Sequence, residues 1–453
     1  MFRNLCEIIH PSSVKLIKEI DILFLPYEAQ VYSFDDDDFF ATYFNSYSNL
    51  SLNSCGVVAK KLMTLLSTLE EFPLLRYRRR FIKNLVLAEA VEQELNLYKE
   101  SFKSDTNPKA KMKRRCQLLI LDRGFDCISP VVHEFTFQAM AYDILDIKDN
   151  IYEYTIGQDD EENVFLPLSD DDALWCSLKH EHVAGVAKRI ESMMDAITII
   201  ENNTNVNLVQ KLPSLGAAVR KHLLRRKHEA FYGYRHMANE CMKSYCGGIN
   251  VLSELEIDLV LGKSADGMPV KNVLTSLLNV LSSNSYNDIQ KLRLFLLYIF
   301  FNKGITKSHF DEIVNKANLP FSDAYSITNV LHFDVDVFRP GFCEYMDDVP
   351  IVKSSDSVIN FRQSRWTPVL KNIILRCIDG TLNEELYPFV GIYERETSVS
   401  SRRSRYWCAD KKYGHMSRLI VFIAGGVTYS EMRCAYEIMA EHTGWEIIVG
   451  MYF

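Results

Sequence analysis

Four apolar residues running straight into a charged turn, Leu118–Leu121 followed by Asp122-Arg123-Gly124, constrain this chain more than any other stretch. A short apolar run bounded by turn residues reads as a strand buried on both faces of a parallel sheet. From that turn the chain passes through Ser129-Pro130 into His133–Met140, which reads as a helix start with proline near its first turn. A second unit of the same kind lies far downstream. Leu419–Ile423 reads as a strand, Gly425-Gly426 as a turn, the residues from Ser430 as a helix and Glu446–Val449 as a further strand.

Between these units the pattern is mainly helical. Helices are predicted over Leu174–Ile199, Asn207–Leu215, Ala217–Cys246, Asn250–Leu261, Asn272–Phe301 and Val369–Ile378. Upstream, residues 13–24 read as a helix end running into a strand at Ile22–Phe24. Asp35–Asp38 is placed at a solvated turn or helix start, where carboxylates complement the helix dipole. Val57, Leu62, Leu65, Leu66 and Leu69 recur at helical spacing, and Leu85–Leu97 forms another amphipathic helix. Arg76–Arg80 is a basic cluster, Ser104–Arg115 a polar linker and Gly157–Asp172 an acidic, turn-rich junction. Asp334–Gln363 lacks periodicity and is read as holding a short hairpin. Thr397–Lys412, rich in Ser and Arg, reads as a mobile loop, with Thr397–Arg405 within it open to phosphorylation. No internal repeat recurs at a fixed period. The fold class that follows is α/β plus a mainly helical domain, a discontinuous parallel-sheet domain interrupted by a helical insertion.

Composition narrows the function. A net charge of −8 over 453 residues argues against nucleic-acid binding, which calls for a basic excess. Met1–His10 carries no sustained apolar core of a signal peptide, and the most apolar run, Leu294–Phe301, is far too short for a membrane span. Eleven scattered cysteines without a C-x-x-C pair point to a reducing, cytoplasmic setting with incidental thiols. Any membrane association is therefore expected through partners.

The chemical motifs weaken on inspection. A strand ending in Asp122 has the form of a magnesium-holding carboxylate, but the phosphate cradle it needs is missing. Gly262-Lys263-Ser264 has Ile257 where the upstream glycine belongs. Asp122 is instead expected to cap the following turn, or to pair with Arg123 or a neighbouring domain. Gly425-Gly426 supplies two adjacent glycines where a dinucleotide site needs three spaced ones, so tight strand-to-helix packing explains them. His180 and His182 sit at i, i+2, not the i, i+4 of zinc-binding helices, and are read as a solvated helix face. His133-Glu134 has no second ligand nearby, and no G-x-S-x-G elbow exists. No catalytic residue, metal site or cofactor is assigned.

The wording of several blocks resembles the SM (Sec/Munc) family of syntaxin-binding proteins, in its exocytic branch. The blocks are LLILDRGFD with HEFTFQAMAYDIL, Leu25–Tyr32, Asp170–Trp175, Lys291–Gly304, Ser364–Pro368 and Leu419–Glu437, and they cover nearly the whole chain. The resemblance implies an arch-shaped, non-enzymatic protein that binds a syntaxin-like SNARE and a vesicle SNARE or assembling SNARE bundle during exocytosis. It implies residues 1–30 as the remnant of a first α/β domain, 31–173 with 367–453 as the second domain, and 174–366 as the third. Relatives extend further at both ends, so this chain is expected to be a shortened version with a weaker syntaxin grip. Within Asn272–Phe301, Leu274, Leu277, Leu278 and Leu281 form one stripe and Leu292 begins another, which by composition alone reads as a buried hairpin. In the family the corresponding hairpin extends to take part in SNARE binding, so Leu277, Leu278, Leu281, Tyr286, Leu292 and Leu294 are the candidate partner-binding residues. Many members carry a helix-interrupting proline there; Val270–Phe301 has none, and Ser282–Asn287 is left as the hinge. The alternative is an α/β enzyme using a nucleotide or phosphate near Asp122 and Gly425-Gly426.

Overall fold

The apolar run at Leu118 does form a strand, and it lies one in from the edge of a six-stranded sheet. The computed structural model describes residues 23–36, 38–44, 50–103, 116–156, 162–208, 214–347, 364–390 and 417–452. Within these, side chains are described except at 50–53, 101–103, 156, 162, 196–208 and 214–228. In chain order the strands are β1 (Leu25–Glu28), β2 (Val31–Ser33), β3 (Leu74–Tyr77), β4 (Cys116–Asp122), β5 (Ile147–Lys148), β6 (Ile151–Ile156), β7 (Glu162–Pro167), β8 (Ser417–Ala424) and β9 (Trp445–Met451). The large sheet runs β1-β2-β9-β8-β4-β3, and β5-β6-β7 make a separate antiparallel sheet. Only the β1–β2 hairpin is antiparallel within the large sheet.

All of β4 and all of β8 are buried, as a strand flanked on both faces must be. Alternation then divides their side chains between two cores. Leu118, Ile120, Ile420 and Phe422 face the helices Phe39–Phe44, Leu50–Thr68 and Ile82–Lys103. Leu119, Leu121, Leu419, Val421 and Ile423 face the opposite layer, where Asn250–Leu261, Val273–Leu281, Asp288–Phe301, Lys307–Ala317, Val369–Ile378 and Tyr429–Glu441 collect. In β9 the phenol ring of Tyr32 lies where any side chain at Gly450 would sit, a Cβ there falling 1.8 Å from the ring. Glycine is obligatory at that crossing.

A third core gathers the small sheet with the helices Phe137–Ile144, Ala173–Leu178, Val183–Leu208 and Ser214–Ser244. The last two pair as a long helical hairpin whose described end rests on Tyr152, Tyr154 and Leu166. A π-turn at Tyr245–Ile249, with Gly248 at φ 137°, leads from the third core into the helix Asn250–Leu261.

Several expectations need correction. The helix after the first turn begins at Phe137 with Thr136 at its cap, four residues later than read, because His133 is held instead by Glu256. Gly157–Asp172 is not a structureless junction: it contains β7, and Asp172 caps Ala173–Leu178 by accepting from Leu174 N. In Leu50–Thr68 the stripe turns on Val58, which is buried, while Val57 is exposed. The upstream strand forms at Leu25–Glu28, not Ile22–Phe24, where Ile22 lies outside the described residues. So do the helix expected over residues 13–21, the linker Ser104–Arg115, the Thr397–Lys412 loop and most of the expected Asp334–Gln363 hairpin. Val369–Ile378 and Asn250–Leu261 form helices as predicted.

Candidate partner-binding groove

The carboxyl edge of the large sheet, where an enzyme of this class would work, is closed by ion pairs. Arg78 Nη1 donates to both oxygens of Asp122 at 3.0 and 2.9 Å, while its Nε and Nη2 donate to Asp347 at 2.6 and 2.7 Å. Asp122 accepts also from Asn84 Nδ2 at 2.6 Å and from Gly124 N at 2.9 Å. The capping role read from sequence holds, but the ion-pair partner is Arg78 and not Arg123. Burial alone would lower the pKa of Arg78, and the two carboxylates more than offset it, so the net shift is upward. The basic cluster is thus partly internal: Arg76 and Arg78 are buried, and Arg76 donates to the carbonyls of Tyr387 and Leu382.

Arg123 pairs instead with Glu431 at 3.0 and 2.6 Å, and Glu431 closes a capping box with Thr428 at the start of Tyr429–Glu441. The helix N-terminus after Gly425-Gly426 is therefore already filled by a carboxylate and an arginine. Gly425, at φ 100°, brings the backbone against Phe44 and Arg123, with a Cβ falling 2.9 Å from the Phe44 ring. Gly425 thus serves close approach, as the packing explanation held, while Gly426 has room around it and is required only by its φ of 91°. His133 Nδ1 meets both oxygens of Glu256 at 2.9 Å. His180 and His182 lie not on a helix but in the turn between Ala173–Leu178 and Val183–Leu208, and they are half-buried. His182 accepts from Ala184 N, and burial pushes the His180 imidazole down to about 4. Among the described residues no three His, Cys, Asp or Glu side chains gather to hold a metal, and no helix is long and apolar enough to cross a membrane.

The helical hairpin behaves differently. Val273–Leu281 and Asp288–Phe301 are separate helices, and Asn287 caps the second in a capping box with Gln290. The polar stretch Ser282–Asn287 is the turn between them. Leu277, Leu281 and Leu294 are fully buried in the core. Leu278 and Leu292 are partly buried against it, and Tyr286 in the turn donates to Gly248 O at 3.5 Å. The six candidates therefore do not share one surface.

Leu292 lines an apolar groove of about 750 Å³ together with Ile289, Leu296, Phe40, Phe44, Val131, Ile327, Val330 and Phe333. Its walls come from three helical elements and the turn holding Val131, and Ser326, Asn329 and His332 also line it. Ile289 is 68% exposed and Phe40 46% exposed, so apolar side chains stand open at its mouth. Arg293 is fixed on one side by Asp143 at 2.8 Å. It also borders a smaller polar cavity of about 350 Å³ that holds Tyr286 and Gly248. A groove of this size and lining accepts a few apolar side chains from one helical face. Sequence reasoning missed Ile289, Phe40 and Phe333, because the groove exists only once distant segments meet.

A sequence profile of the Sec1 family matches residues 1–450. The protein transport protein sec1 of Dictyostelium discoideum is 27% identical over 468 residues, covering 97% of this chain and 76% of that protein. The SNARE-interacting protein KEULE of Arabidopsis thaliana is 24% identical over 472 residues, covering 87% of this chain and 68% of that protein. Among solved structures, the Unc18–syntaxin 1 complex from Monosiga brevicollis superposes with a TM-score of 0.78 at 24% identity, over 99% of this chain and 77% of that one. The SM protein Vps45 in complex with the Qa SNARE Tlg2 gives a TM-score of 0.68 at 16% identity, over 99% and 76%. These structural likenesses are likenesses of fold.

Proposed function

The chain belongs to the Sec1 family, and on that premise we propose that it is a SNARE-binding regulator of vesicle docking and membrane fusion. It acts by recognition of an amphipathic SNARE helix, without chemical catalysis, on the cytoplasmic side of plasma membrane or vesicles. What carries the reading is the family match across residues 1–450, together with a relative, KEULE, whose name records SNARE interaction. Helix-in-groove binding buries an apolar stripe and leaves polar contacts at the rim to set register. Control of fusion then requires that the protein contact one SNARE conformation better than another. The groove beside Ile289 and Leu292 is the surface we assign to such contacts. Engagement of Leu277, Leu281 or Leu294 would require the hairpin to open at Ser282–Asn287. The division into residues 1–30, 31–173 with 367–453, and 174–366 is kept as the domain proposal.

Calorimetric titration of the purified chain with the cytoplasmic segment of a syntaxin-type SNARE tests this. Micromolar or tighter binding is expected, weakened about tenfold by Ile289→Asp, the cost of roughly 1.4 kcal/mol. A monodisperse protein with no binding would overturn the reading. Unaltered binding by the variant would move the contact away from the groove.

A further inference from the structure

The apolar groove carries a charge bias opposite to that of the whole chain. Asp and Glu number 59 against 51 Lys and Arg, yet the groove is lined by Arg293 and His332 and by no acidic residue. Ile289, Leu292, Arg293 and Leu296 fall at i, i+3, i+4 and i+7 of Asp288–Phe301. A single helix face therefore offers the groove three apolar side chains and one cation. His332 stands exposed on a different wall, Ser326–Phe333.

Arg293 is held in place, not free to sweep through solvent. Its Nε donates to Val131 O at 2.5 Å and its Nη1 to the two oxygens of Asp143 at 2.8 and 3.0 Å. Its Nη2 makes no hydrogen bond to any described residue, and the side chain is 17% exposed. A guanidinium fixed on two sides has already lost much of the rotamer freedom that binding would otherwise cost. The donor left over suits a carboxylate.

We infer, on the reading of this groove as a SNARE-binding surface, that it selects a helix carrying an acidic side chain beside its apolar stripe, whose carboxylate accepts from Arg293 Nη2 and sets the register. Arg293 is then the residue that determines specificity. A helix shifted along the groove keeps its apolar contacts but leaves that donor empty, so the wrong register is penalised. Asp143 already neutralises part of the guanidinium charge and competes with the incoming carboxylate. The pairing therefore governs which helix fits and where, more than how tightly it holds.

The test is calorimetric titration of the full chain with the cytoplasmic segment of a syntaxin-type SNARE, its acidic residues changed to amides one at a time. One such change should weaken binding to the native chain about tenfold, and binding to Arg293→Gln by less than about twofold. Asp143→Asn, which leaves Val131 to hold the guanidinium, should tighten binding about threefold. At the groove mouth, Ile289→Lys should weaken it less than Ile289→Asp, because a lysine there meets an acidic occupant. Should Arg293→Gln fail to fold, the amide scan on the native chain decides alone. No acidic position that matters, no coupling to Arg293, or equal losses from Ile289→Lys and Ile289→Asp would overturn the inference while leaving the groove as the site. Full binding by both Ile289 variants would remove the groove reading and the inference with it. Self-association in sedimentation that Ile289→Asp abolishes would assign the groove to a second copy and overturn the inference as well.

Discussion

The carboxyl edge of the large sheet and the groove beside Asp288–Phe301 invert what their sequences suggest. The edge carries the charged residues that advertise chemistry, yet every carboxylate traced there meets a buried partner: Asp122 with Arg78, Glu431 with Arg123, Glu256 with His133. The hairpin reads as ordinary core, yet one of its faces stands open with Ile289 and Leu292 in a groove. The lesson concerns desolvation. A charge can be hidden only with its counter-charge in place, so a buried polar cluster with all partners present is a structural joint. An apolar wall left in water has no such compensation and is better explained by a visitor.

The comparison is broken most directly at Arg78. Arg78→Met strands Asp122 and Asp347 in the interior and should lower stability by about 3–5 kcal/mol in denaturant unfolding. A loss under about 1 kcal/mol would mean that water reaches the edge and that it is open after all. Next in size is a matched pair on the hairpin. Leu281→Ala should cost about 2–5 kcal/mol, whereas Ile289→Ala should change stability by no more than about 0.5 kcal/mol. Similar losses at both would make the groove part of the core.

A smaller effect comes from His180. Its folded-state pKa, about 4, lies below the ordinary histidine value, so the unfolded chain takes up the proton first. Stability should be intact above about pH 6.5 and fall as the pH drops toward 4, by roughly 2 kcal/mol. His180→Asn should flatten that window, and an unchanged pH profile would show that the imidazole is not effectively buried. The smallest expected effect is none. Magnesium with ATP or GTP should leave the melting temperature within about 1 °C, and a saturable rise would reopen the edge as a ligand site.

Much of the large sheet was legible because its signals are local. β4 and β8 are apolar runs cut by charged or glycine turns, and Val369–Ile378 is apolar on one face between Pro368 and Asp379-Gly380. Asp347 was not legible as the partner of Arg78, since 269 positions separate them and nothing in either neighbourhood names the other. Val57 and Val58 were indistinguishable by composition, and only the approach of Ile82–Lys103 decides which is buried. The small sheet left a readable trace, the alternation of Tyr152 and Tyr154 with polar neighbours, that the acidic turn beside it obscured. The groove had no trace at all, being assembled from Phe40, Ile289 and Phe333 on three separate elements.

The parallel pairing of β4 with β8 also sets a timetable for the ribosome. About 300 residues separate Asp122 from Ser417, and at ~5–20 residues per second they take roughly 15–60 s to synthesise. Throughout that interval β4 has emerged as an apolar strand whose edge on the β8 side has no partner. The nascent chain therefore needs either rapid cover from the intervening helices or a chaperone, and its yield in the cell depends on that wait as much as on final stability.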